Sequence, residues 1–185
     1  MPDSTTSKTE IIHGHRLRLF KDAETIQARV REIGNVLTQS HHGKHPIVLG
    51  LMQGAFVFVA DLARAMDLPC TVDFWRLSPY GADTKSSQSV RELMSPTVRL
   101  CDRHVILVDD IVDSGRTLTH ALHRLAEHSP LSITVVALLQ NEASSVAVDH
   151  VGFVSGGDYV VGYGLDVGYE LRGLPALYYL DNSRV

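Results

Sequence analysis

Residues Val105 to Leu118 read VILVDDIVDSGRTL, and this stretch decides the fold. Val105 to Val108 are apolar and mostly β-branched, with the length of a strand buried on both faces. Asp109 and Asp110 then stand at its carboxyl end, where open parallel sheets hold their ligands. The turn that follows, Ser114, Gly115, Arg116 and Thr117, can aim backbone N–H groups at one point. The helix beyond it adds the positive end of its dipole, which makes a phosphate site that needs no lysine. Leu118, Leu122, Leu125 and Ala126 share one face of that helix. Together these pieces imply a sugar-phosphate site. Each also has a plainer use, since an acidic pair after a strand can be a solvated loop and Asp113 is a natural helix cap. A P-loop ATPase is excluded by the absence of a GxxxxGK[ST] loop, and a response-regulator receiver would carry its acidic pair near the start of the chain.

The 185 residues suit one domain with a substantial core. A net charge of −4 without a basic tract argues against nucleic acid or a membrane surface as partner. Cys70 and Cys101 form no CxxC motif and read as reduced thiols, which fits a cytoplasmic protein. His41, His42 and His45 cluster among Ser40, Gly43 and Lys44 and read as a polar loop rather than a zinc site. Residues 1–10 are polar and read as a flexible tail, and no segment is long and apolar enough to span a membrane.

Asp22 caps an expected helix whose apolar face is Ile26, Val30, Ile33 and Leu37. Ile47 to Leu51 reads as a strand, Ala55 to Met66 as a helix, Thr71 to Trp75 as a strand, and Ile133 to Leu139 as a long strand after the Leu118 helix. Strands alternating with helices predict an α/β fold with a mostly parallel sheet flanked by helices. From Gly152 onward short apolar pieces separated by glycines predict a small hood over the carboxyl ends of the strands. Leu77 to Val90 reads as a polar loop, and Tyr80 within it could shield a reactive centre from water.

The acidic pair with its turn, VDDIVDSGRT, matches the phosphoribosyl-pyrophosphate signature of the type I phosphoribosyltransferases. Three further segments extend the resemblance, over nearly the whole chain, to the hypoxanthine-guanine phosphoribosyltransferases: GLMQGAFVFVADLAR at Gly50 to Arg64, LSPYG at Leu77 to Gly81, and DYVVGYGLDVGYELRGLP at Asp158 to Pro175. The resemblance implies one phosphoribosyltransferase domain over residues 11–185, its hood built from residues 11–20 and 152–185. It implies purine salvage: hypoxanthine or guanine plus 5-phosphoribosyl 1-pyrophosphate gives the nucleoside monophosphate and pyrophosphate, with Mg²⁺ as cofactor. Asp113 would be the general base at purine N7, and Tyr80 would close over the centre. Asp109, Asp110, Asp113, Ser114, Gly115, Arg116 and Thr117 would bind the phosphoribosyl group. Gln53, Gly54 and Arg172 would bind pyrophosphate, with a cis peptide at Met52-Gln53. Asn141, Tyr159, Val160 and Asp166 would line the purine site, while Asp166, Asp109 and Asp110 would serve the metal. By the same analogy the chain would be a homodimer or homotetramer.

Four positions depart from the family, the mildest being Asp109 where Glu is more usual, which keeps the charge on a shorter arm. Asn141 stands where a lysine usually donates to purine O6, and no later lysine follows Lys85. An asparagine amide can both donate and accept, so this change is expected to weaken rejection of a 6-amino purine. Gln53 stands where Lys or Arg is common, and Pro79 precedes Tyr80 where serine is common. The departures keep open a shifted preference toward xanthine or adenine, and a regulator that uses the fold to sense nucleotides. Asp113, Asp166 and Arg172 together favour an enzyme.

Overall fold

Alternating burial on two-sided strands organises the chain. The computed structural model describes residues 9–79 and 90–181. Strand β3 (Ile47–Met52) turns Val48 to one side and Ile47, Leu49 and Leu51 to the other, and β6 (His104–Val112) divides Ile106 and Val108 from Val105 and Leu107 in the same way. Helices α1 (Ala23–Ser40) and α2 (Phe56–Ala65) cover the first side, and α3 (Arg116–Glu127) the second. Both faces of the sheet are therefore dry, as a parallel sheet requires. Each fully buried leucine, such as Leu49, contributes about 1.5–3 kcal/mol.

With β4 (Thr71–Pro79), β5 (Val90–Met94), β7 (Ser132–Asn141) and β8 (His150–Ser155), the sheet runs in the order β5-β4-β3-β6-β7-β8. All neighbours are parallel except β4 and β5. A second, antiparallel sheet has the order β1-β2-β10-β9, from β1 (Thr9–Ile12), β2 (His15–Lys21), β9 (Val160–Val161) and β10 (Leu177–Leu180). Helix α1 starts as the sequence predicts, with Asp22 Oδ1 accepting from Thr25 N at 2.8 Å. Hydrogen bonds from the Thr25 backbone N–H and then its hydroxyl hold the Asp22 carboxyl below its ordinary range.

The structure corrects several boundaries. Thr9 and Glu10, expected in the tail, pair with Arg18 and Leu17 of β2. Residues 150–155, expected to lead into the hood from position 152, are instead the edge strand of the main sheet, so the hood begins after Ser155. Its glycine is required there: a Cβ on Gly152 would lie 2.4 Å from the Leu138 carbonyl oxygen. Two β8 carbonyls, of Val151 and Gly152, accept from the Arg29 guanidinium of α1 at 2.7 and 3.1 Å, which ties the strand to the helix layer. Strand β4 continues through Leu77 to Pro79 and pairs with β5 from Val90, so these residues, expected in the polar loop, are strand, and the rest of that expected loop lies outside the described residues. His41 caps α1 and is buried, its ring bonded to the Leu37 carbonyl and Thr134, and among the described residues no metal cluster forms around it. Both cysteines are free, and no helix among the described residues is long and apolar enough to cross a membrane.

Helices α1 and α2 meet at Gly34, where a Cβ would lie 2.7 Å from the Ala65 carbonyl oxygen. Gly34→Ala therefore overpacks backbone against backbone, and the expected cost is about 1–3 kcal/mol, a fall of several degrees in Tm. Thermal unfolding checks this, and an unchanged Tm would contradict the packing.

Candidate active site

The chemistry-bearing residues gather where β6 ends. Asp109 is buried at 6% exposure, and its Oδ1 accepts from Asp110 N at 3.0 Å. Burial pushes the Asp109 carboxyl well above the ordinary carboxylate range, and the adjacent Asp110 charge adds to that shift. Asp110 is also raised by burial, although bonds from Asp109 and backbone N–H groups and the Arg172 charge oppose the rise. Burial therefore disfavours the ionised form of both carboxyls, most of all that of Asp109.

After Val112 the chain passes through Asp113 and Ser114 to Gly115, which sits at φ +74 and is the N-cap of α3. A side chain there would strike Val146, whose Cγ2 lies 2.2 Å from the position of a Cβ. No side chain caps α3. Its first N–H groups are left for an anion, as the SGRT turn predicts. Asp113 is therefore not the helix cap that its isolated position allowed. Its Oδ1 instead accepts from Asn141 Nδ2 at the end of β7, at 2.8 Å.

Across from the acid pair lies the loop after β3, where the Met52-Gln53 peptide is cis. Gly54 follows, and a Cβ on it would lie 1.5 Å from Asp110 Oδ2. The hood closes this side through Gly164, at φ +104, where a Cβ would meet the Gly54 carbonyl oxygen at 2.1 Å. Arg172 donates to the Gly164 carbonyl and pairs with Asp166 Oδ1, both at 2.7 Å. Asp166 Oδ2 accepts from Tyr169 N at 2.8 Å, and the Tyr159 hydroxyl donates to the Asp166 carbonyl at 3.0 Å.

Two clefts result. One, about 320 Å³, is lined by Asp110, Ile111, Asp113, Asn141, Tyr159, Val160 and Asp166 among others. The second, about 280 Å³, is lined by Gln53, Gly54, Asp109, Asp110, Ile111, Thr117, Asp166 and Arg172 among others. They share Asp110, Ile111 and Asp166. Ser114 and Gly115 stand on the loop into α3 and Arg116 at the first position of that helix, none of them in either cleft wall, and Tyr80 lies outside the described residues. Sequence reasoning missed Ser155, Gly157 and Asp158 in the larger cleft. The available signal was a glycine pair at the carboxyl end of a parallel strand, but β8 itself was not identified. Ile111 and Leu165 carry no chemical signal at all.

The acid pair and Asp166 offer hard oxygen donors to a divalent cation. Among the described residues no three His, Cys, Asp or Glu side chains form a cage. That suits an ion held by one or two carboxylates and completed by ligand phosphate and water. Without such an ion the pair opposes folding at neutral pH. A carboxyl with a raised folded-state pKa favours the native state below its ordinary range and loses that contribution as pH rises through the raised value. Asp109→Asn keeps an oxygen for Asp110 N and removes the charge, so ligand-free protein at pH 7.5 in chelator should melt higher than the parent. An equal or lower Tm would contradict the assignment.

Residues 20–159 match the phosphoribosyl transferase domain family. The chain is 34% identical over 169 residues to the bifunctional protein TilS/HprT of Listeria innocua, covering 90% of this chain and 26% of that protein. It therefore spans about a quarter of that relative's length. Against the hypoxanthine-guanine phosphoribosyltransferase of Aquifex aeolicus it is 37% identical over 175 residues, 92% of this chain and 98% of the relative. A crystal structure of a hypoxanthine-guanine phosphoribosyltransferase from Bacillus anthracis superposes with a TM-score of 0.83 at 30% identity, covering 88% of this chain and 98% of that one.

Proposed function

The chain belongs to the phosphoribosyl transferase domain family and has its type I α/β fold, and from that premise we propose that it is a purine salvage enzyme. It transfers the phosphoribosyl group of 5-phosphoribosyl 1-pyrophosphate to hypoxanthine or guanine and releases pyrophosphate. The observation that carries this reading is the meeting of the two clefts over Asp110, Ile111 and Asp166. A ribose C1 at that seam has a purine-sized space on one side and a cation-bearing space on the other. Its bond to pyrophosphate oxygen can break toward Arg172 while its bond to purine N9 forms toward Tyr159.

Each role follows from local chemistry. The N–H groups of Ser114 to Thr117 at the open start of α3 hold the 5′-phosphate, with Arg116 beside them. Asp109 and Asp110 accept from the ribose hydroxyls and stabilise positive charge as the ring becomes oxocarbenium-like. Asp113 takes the proton from purine N7 as N9 bonds to C1. The Tyr159 ring, fixed through its hydroxyl to the Asp166 carbonyl, offers a face for the base, and the Val160 backbone offers polar groups to its edge. Arg172 and the amides of Gln53 and Gly54 meet the departing pyrophosphate. One or two of the carboxylates of Asp166, Asp109 and Asp110, with substrate oxygens, would hold a magnesium ion, which when bound would supply charge neutralisation there.

The test is pyrophosphate release from 5-phosphoribosyl 1-pyrophosphate and hypoxanthine with Mg²⁺. The parent should turn over, and Asp113→Asn should lower kcat by about 10²–10⁴-fold. An Asp113→Asn variant as fast as the parent would remove the general base. A parent without turnover on any purine would sink the reading.

A further inference from the structure

Asp61 and Tyr163 line neither cleft, yet they join the hood to the helix layer. Tyr163 follows β9 and sits at φ +50 between Gly162 and Gly164, both also at positive φ. Its main chain is fixed on both sides: Tyr163 N donates to the Leu174 carbonyl at 2.8 Å, and Gly164 N to the Arg172 carbonyl at 2.9 Å. Its side chain is buried and reaches α2, where the hydroxyl donates to Asp61 Oδ2 at 2.6 Å. Gln27 Nε2, from α1, donates to the same oxygen at 2.6 Å, and the Arg64 guanidinium contacts Asp61 Oδ1. Asp61 is thus the junction of the hood, α1 and α2. Burial, and then the Asp61 bond, push the Tyr163 phenol far above its ordinary range, so it stays a neutral donor to the carboxylate.

The same hood turn meets the site at its other end. Gly164 lies so close to the Gly54 carbonyl oxygen that a Cβ would stand 2.1 Å from it, and the Gly164 carbonyl accepts from Arg172 Nη1 at 2.7 Å. Gly54 immediately precedes the start of α2, the helix that carries Asp61. The turn therefore rests on this loop and helix at both ends, Gly164 on Gly54 and Tyr163 on Asp61. We propose that Asp61 and Tyr163 are positioning residues for the pyrophosphate half of the site, holding Arg172 at a set distance from the Gln53 and Gly54 amides, an inference that rests on the purine-salvage reading of these clefts. A turn held only at Gly54 can pivot there and carry Arg172 with it, and its main chain at Tyr163 already has a conformation that L side chains rarely adopt. The hood residues of the larger cleft are secured separately. Val160 pairs with Tyr179 of β10, and the Tyr159 carbonyl accepts from Leu180 N at 2.8 Å.

Two ligands that share the phosphoribosyl group separate the halves. On this reading 5-phosphoribosyl 1-pyrophosphate with Mg²⁺ fills the pyrophosphate half and inosine 5′-monophosphate the base half, and calorimetry gives the ratio of the first Kd to the second. Tyr163→Phe keeps the ring and loses only the donor. It should raise the ratio about five- to twentyfold, with the inosine 5′-monophosphate Kd within about twofold of the parent. Asp61→Ala should do the same, whereas Asp61→Asn, which retains an acceptor for the hydroxyl, should keep the ratio within about threefold. A bond that only stabilises the fold would lower Tm and leave the ratio alone. A ratio raised less than about threefold in Tyr163→Phe, or equal in Asp61→Asn and Asp61→Ala, would overturn the positioning role. Failure of the underlying reading would show differently, as a parent that releases no pyrophosphate with any purine.

Discussion

Two adjacent carboxylates at the buried end of β6 are the constraint on which the rest of the site depends. Asp109 is almost without solvent, and its protonation is favoured by burial and by the Asp110 charge. A chain gains no stability from such a pair in isolation. Everything packed around it keeps backbone close and side chains away. Gly54 leaves space for the Asp110 carboxylate, Gly164 leaves space for Gly54, and Arg172 supplies the nearby positive charge. On the proposed function, the glycine-rich segments of the hood and of the loop after β3 follow from one demand, that polar ligand atoms reach the acid pair from both sides.

That demand also explains the division into two clefts. A reaction at a single carbon needs a leaving direction and an attacking direction, with the stabilising charge between them. On the proposed function, the seam over Asp110 and Asp166 is the middle, the Gln53–Gly54 side with Arg172 one direction, and the Tyr159 side with Asp113 the other. The start of α3 has no side-chain cap, which on the same reading leaves its N–H groups for the far end of the ligand. Positioning and electrostatics therefore come largely from backbone and fixed carboxylates, with few flexible cations.

The main sheet was readable because its central strands are buried on both sides and carry unbroken apolar runs, as Val105 to Val108 do. The edges were not. Strand β8 is only half-buried and contains Gly152, so its pattern resembled the hood that follows. Strand β5 has no buried residue, and its half-buried positions are Val90 and Glu92 while Leu93 and Met94 are exposed, so apolar residues did not mark its inner face. Within the site, charged residues such as Asp113, Asp166 and Arg172 were legible through the family resemblance, whereas Ile111, Ser155 and Gly157 enter through geometry alone. The Asn141 amide shows the limit most clearly. Its identity is in the sequence, but the orientation of the amide depends on Ala143 N and Asp113, which only the folded chain brings together.

If the acid pair is held ready for a ribose and its accompanying cation, ligand binding must relieve its charge. The most direct measurement is the rise in Tm produced by 5-phosphoribosyl 1-pyrophosphate with Mg²⁺, compared between the parent and Asp109→Asn at equal ligand concentration. The account predicts a larger rise in the parent, because the variant has no carboxyl at position 109 whose ionisation burial opposes. Equal rises, or a larger one in the variant, would contradict it.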